Sequence, residues 1–144
     1  MNIEKVILSA RYRSKKNGSR NAAMISIMYR CRLSINQLLS LRWDQVDDKL
    51  GLLYITRISK NNYEIIYPLF SKELKAIKEI KYLNQNSQYV FSSSNKKLIS
   101  RSSFKKILND AILNSGVNIS VSDILNTYKK RNIQIGDNYI HANL

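Results

Sequence analysis

Apolar residues at Ile3, Val6, Ile7 and Ala10 recur with helical spacing, which predicts a short first helix over residues 3–12. Ser14-Lys15-Lys16-Asn17-Gly18-Ser19 then reads as a polar, basic turn. Residues 21–29 are apolar almost all round, the mark of a helix at the centre of the core. A helix over 34–41 follows. Ser34 is placed to cap it, Gln37 completes a capping box, and Trp43 closes it against the core. Residues 47–51 form a turn. Residues 52–58 and 63–67 are β-branched and aromatic around Ser59-Lys60-Asn61-Asn62, which predicts a β-hairpin ended by Pro68.

The second half returns to helical spacing. Ser71 opens a helix to about residue 82 with Leu74, Ile77 and Ile80 inward. Residues 88–91 make a very short strand. A helix starting at Ser100 or Ser102 carries Phe104, Ile107, Leu108, Ala111 and Ile112 on one side and stops at Gly116. One more helix, over 119–128, is capped by Ser120 or Ser122, and residues 129–144 form a polar tail. The expected fold is α+β, mainly α, a single domain with a small antiparallel three-stranded sheet at its edge.

Charge narrows the function. The 144 residues carry 24 Lys+Arg against 10 Asp+Glu, a net +14 spread along the whole chain. A field of that sign recruits polyanions, nucleic acid first among them. With one cysteine, Cys31, and one histidine, neither an intramolecular disulfide framework nor a Cys/His zinc cage is available, and no cofactor is expected. No apolar run approaches a membrane span, and the N-terminus lacks a signal peptide's apolar core. No membrane partner is expected. The chain reads as cytoplasmic.

The string YRCRLSINQLLSLRWDQVD, residues 29–47, resembles the first signature box of the tyrosine recombinases, the phage integrase family, written T-G-L-R-x-S-E-L-L-x-L-x-W-x-D-[IV]-D. LLYITRISKNNYEIIYPL is similar to that family's hairpin, whose turn carries a catalytic lysine. Tyr89-Val90-Phe91-Ser92 resembles its Y-[LV]-F-x-S strand, and residues 99–116 resemble the helix before its second box. The resemblance covers residues 21–128 and implies the recombinase catalytic fold. The family's N-terminal helical domain, which closes the far half of a clamp on duplex DNA, has no counterpart in this sequence.

These enzymes attack a DNA phosphodiester with a tyrosine. The resemblance therefore implies two arginines to hold the phosphorane oxygens with planar forks, and a lysine or histidine to protonate the leaving 5′-oxygen. In the ungapped register from Trp43, Ser34 stands at the first arginine position. Arg32 lies two residues earlier and Arg30 four. Using Arg32 instead would need two more helical residues, a turn of about 200°. The segment 119–128 resembles I-T-P-H-D-L-R-H-T-F, with Ser122 at the histidine and Leu125 at the second arginine. Lys60 keeps the hairpin lysine, either as acid or DNA contact, or as an ordinary turn residue. The stretch from Arg131 to His141 resembles the nucleophile region and makes Tyr139 the candidate, although its separation from Ser122 is about half that usual in the family.

The leading expectation is a duplex-DNA-binding protein from a mobile element, more pseudoenzyme than enzyme, serving as a regulator or accessory factor. Its basic face would hold Arg30, Arg32, Lys60, Arg101, Lys105, Lys106, Lys129, Lys130 and Arg131. One alternative is a minimal active recombinase using Tyr139 and Lys60. A second is a protein-interaction module with no role on DNA. The C-terminal tail could also join copies of the chain, or the chain to a full-length recombinase.

Overall fold

The protein is described from a computed structural model, over residues 2–56, 64–83, 87–93 and 97–129, with backbone alone for 56, 64 and 65. Its order is α1 (Ile3–Arg13), α2 (Gly18–Cys31), α3 (Ile35–Leu39), a 3-10 turn (Trp43–Gln45), β1 (Val46–Asp47), β2 (Leu52–Thr56), β3 (Glu64–Pro68), α4 (Ser71–Leu83), α5 (Arg101–Ser115) and α6 (Val121–Leu125).

α2 is the axis of the core. Every residue from Asn21 to Met28 is buried, because α1, α3 and α4 all pack against it. α1 contributes Ile3, Val6, Ile7 and Ala10, the predicted stripe, and also lies on α5. The approach of α1 to α2 needs the glycine at the start of α2: a Cβ on Gly18 would sit 2.0 Å from the backbone oxygen of Arg11. That is well inside contact distance, so backbone would have to move.

Ser34 caps α3 as expected. Its hydroxyl accepts from Gln37 N (3.2 Å), and Gln37 Oε1 accepts from Ser34 N (3.0 Å). This reciprocal pair stabilises a helix of only five residues, too short to persist on propensity alone. Ser100 caps α5 by accepting from Ser103 N, and Gly116 ends it in the left-handed region at φ 73°. Ser120, not Ser122, caps α6, sharing a capping box with Asp123.

The sheet has three antiparallel strands in the order β1-β2-β3, with Val46 opposite Leu53, Leu53 opposite Tyr67 and Ile55 opposite Ile65. Leu53 and Ile55 alternate inward, so the sheet closes one side of the core. The β1–β2 turn is an Asx turn, in which Asp47 Oδ1 accepts from Lys49 N and Leu50 N and Gly51 takes φ 70°.

The third strand is Val46–Asp47, not the predicted 88–91. That segment makes only an isolated bridge, Tyr89 to Arg42, flanked by Trp43 N donating to Gln88 O and Val90 N donating to Leu41 O. The 3-10 turn that begins at Trp43 carries the chain away and cuts the ladder short. In α4 the buried stripe is Glu73, Ala76, Ile77 and Ile80, while Leu74 is only partly covered. An acid occupies a core position that the expected face, drawn through Leu74, did not include.

Candidate nucleic-acid interface

Three of the positions that the motif resemblance singles out are described, and none carries a charge. Ser34 commits its hydroxyl to capping α3. Ser122 is exposed on α6, and its Oγ accepts from Asn126 Nδ2 (3.1 Å). Leu125 ends α6 half-buried, packed against the core. α3 and α6 both pack on α5, so the two helices that bear these positions flank one support. Lys60, Tyr139, Lys130 and Arg131 lie outside the described residues.

The remaining basic residues divide into free and committed cations. Arg101, Lys105 and Lys106 are exposed on the N-terminal half of α5. Arg101 and Lys105 are one turn apart and share a face. Lys129 is also exposed. None of these four forms an ion pair among the described residues. Each presents its charge to solvent.

Arg30 is committed. At the end of α2 its guanidinium pairs with Glu4 of α1, and its Nε lies 3.3 Å from Glu73 Oε1 and donates to Ser26 Oγ (3.3 Å). Glu73 is only 3% exposed, and its Oε1 receives no hydrogen bond of good geometry among the described residues, so the nearby guanidinium charge compensates it. Arg32 is the C-cap of α2 at φ 52°, the one described non-glycine residue with positive φ, and its N–H donates to Met28 O. A side chain there costs about 1–2 kcal/mol of backbone strain relative to glycine.

Two further groups escaped the sequence reading. Glu73 left a detectable signal, an acid in phase with Ala76, Ile77 and Ile80. Arg20 left none. Its Nε and Nη2 donate to Asn21 Oδ1 (3.0 and 2.9 Å), and Nη1 donates to the carbonyl oxygen of Ser92 (3.3 Å), tying α2 to a segment 72 residues away. Burial lowers the Arg20 pKa from its ordinary value, though a guanidinium remains protonated at any physiological pH. Among the described residues no cluster of His, Cys, Asp and Glu could hold a metal ion, and no helix is long and apolar enough to cross a membrane.

Comparison with known proteins places this arrangement. The model of the phage integrase family matches residues 2–134. The structure is similar to that of XerA recombinase (TM-score 0.69, 15% identity), covering 92% of this chain and 47% of that one. It is similar to XerH site-specific recombinase bound to its difH substrate in a pre-cleavage complex (TM-score 0.70, 16% identity, 93% and 41% covered). The catalytic core of lambda integrase matches at TM-score 0.63 and 15% identity, covering 94% of this chain and 82% of that one. The chain thus spans less than half the length of the two Xer recombinases. At these identities the likeness is one of fold. No curated protein matches by sequence.

Proposed function

Because the chain belongs to the phage integrase family, we propose that it binds duplex DNA with the recombinase catalytic fold but does not cut it. The observation that carries this reading is the chemistry at two positions. Ser34 and Leu125 stand where the family motifs have arginines, and neither side chain can place a cation on a phosphate oxygen.

The ungapped register behind that assignment has backbone support. The motif's T-G-L-R glycine falls on Arg32, the one described non-glycine residue in the left-handed region. A left-handed turn two residues before the arginine position explains why the motif has glycine there. Loss of a single preorganised donor costs about 10²–10³ in rate, and loss of both arginines costs more. Arg30 cannot readily substitute, because withdrawing it strands Glu73.

Binding needs less than cleavage does. Arg101, Lys105, Lys106 and Lys129, unpaired among the described residues, offer charge to a phosphate backbone, and Arg32 adjoins the α3 cap. We read the protein as an accessory or regulatory factor of a mobile element. Two experiments test this. A nicked suicide duplex that traps 3′-phosphotyrosine is expected to give no covalent band, and an adduct that disappears in Tyr139→Phe overturns the inactive reading. Duplex affinity is expected to fall steeply between about 50 and 200 mM salt, as counterion release requires. Absent binding, or binding flat with salt, refutes the DNA role.

A further inference from the structure

At the opposite end of α2 from Ser34 lies a cleft of about 310 Å³ that the proposed function does not use. Its walls include Lys15, Lys16, Ser19, Arg20, Glu79 and Ser92. We propose that this cleft is a second anion site that binds a phosphate group, whether the chain cuts DNA or only holds it.

Four features converge there. Lys15 and Lys16 are exposed and, like Arg20, make no ion pair among the described residues. Three cations thus face one carboxylate, Glu79, whose Oε1 accepts from Ser19 Oγ (3.0 Å). α2 starts at Gly18 with no side-chain cap, so the backbone N–H groups of its first turn present donors and partial positive charge at the cleft. Such a terminus favours a bound anion, phosphate among them. Ser92, only 2% exposed, belongs to the same wall, and its Oγ has no hydrogen-bond partner among the described residues. A buried hydroxyl without a partner is uncommon and points to a missing ligand atom or water. Finally, Arg20 is already oriented by Asn21 and the Ser92 carbonyl, and three bonds leave two of its five N–H donors uncommitted.

Position separates this site from the first-box position at Ser34. α2 has 14 residues. At about 1.5 Å per residue its two ends lie roughly 20 Å apart. One phosphate group cannot touch both. The occupant is therefore either a phosphate of nucleic acid other than one at Ser34 or a free phosphate-bearing compound.

The test is a ¹⁵N NMR titration of the full chain with inorganic phosphate, alongside the Lys15→Gln/Lys16→Gln variant. The amides of Gly18, Ser19 and Arg20 are expected to shift and saturate, with binding at least fivefold weaker in the variant. Glu79→Gln, which removes the one carboxylate, is expected to bind phosphate at least threefold more tightly, a gain that misfolding does not mimic. A parallel titration of a labelled duplex identifies the source. Weaker binding by the lysine variant, with the salt slope reduced by about 0.9 for every phosphate no longer neutralised, assigns the site to nucleic-acid phosphate. Unchanged duplex binding beside a weakened phosphate titration assigns it to a free phosphate compound. No shift at the start of α2, an equal shift in the lysine variant, or no gain in Glu79→Gln overturns the proposal. Failure of duplex binding for other reasons leaves the phosphate titration intact, so the two readings fail separately.

Discussion

Replacing Arg30 by methionine tests whether that arginine belongs to the fold or to the DNA surface. Its Nε stands 3.3 Å from Glu73 Oε1. At an effective dielectric near 20, unit charges at that separation attract by about 5 kcal/mol. Desolvation of Glu73, buried to 3% exposure, offsets much of that attraction, so the net worth of the intact pair is small. Truncation is a different matter, because it leaves the carboxylate buried without its counter-charge. Such losses run about 3–5 kcal/mol, and the 30% exposure of the Arg30 side chain argues for the low end, near 3 kcal/mol. For a domain of this size that lowers Tm by about 10 °C.

The double variant Arg30→Met/Glu73→Leu removes both charges and fills the space with apolar atoms, so it is expected to recover most of the loss. Urea denaturation followed by circular dichroism measures all members of the cycle. Duplex affinity of the stabilised double variant, at a salt where the parent binds, then reads the DNA role directly. The reasoning fails if Arg30→Met costs under about 0.5 kcal/mol, within the range of an ordinary surface change. It fails equally if the double variant is no more stable than the sum of the two single losses.

Other outcomes follow from the same geometry. Gln at Arg101, Lys105 and Lys106 together is expected to leave stability within about 0.5 kcal/mol, because the three are exposed and form no ion pair among the described residues. The same triple change should reduce the slope of log affinity against log salt by about 0.9 for each phosphate that these side chains neutralise, measured by fluorescence anisotropy. Ser34→Ala removes the acceptor for Gln37 N and should cost about 1 kcal/mol in urea melts, whereas Ser34→Gly should cost only a few tenths. Gly18→Ala forces backbone to move and should destabilise by about 3 kcal/mol or more, read as an early thermal transition. Arg32→Gly relieves strain at φ 52° but loses more chain entropy on folding, so stability should rise by only about 0.5–1 kcal/mol, while duplex binding weakens.

Most of the helical framework was legible along the chain because it is written in local signals. The stripe of α1, the all-apolar α2 and the caps at Ser34, Ser100, Ser120 and Gly116 each depend on residues within a turn or two. The motif resemblance rests on equally local signals, since Ser34 and Leu125 take their positions in it by spacing from neighbours in the same box. The sheet was half legible. Its hairpin strands carry β-branched and aromatic residues, but the third strand is two residues long, and its partner was decided by where the 3-10 turn at Trp43 directs the chain.

Tertiary packing alone decided which charges are free. Arg30 and Arg101 look alike in sequence, yet one is held by acids from α1 and α4 while the other faces water. Glu73 is buried because α4 lies on α2, and Arg20 becomes a clamp because Ser92 arrives beside it from a distant segment. Spacing determines what one helix can present to its own next turn. The availability of a charge depends on partners far away in the chain, and only the folded arrangement brings those partners within a few ångströms.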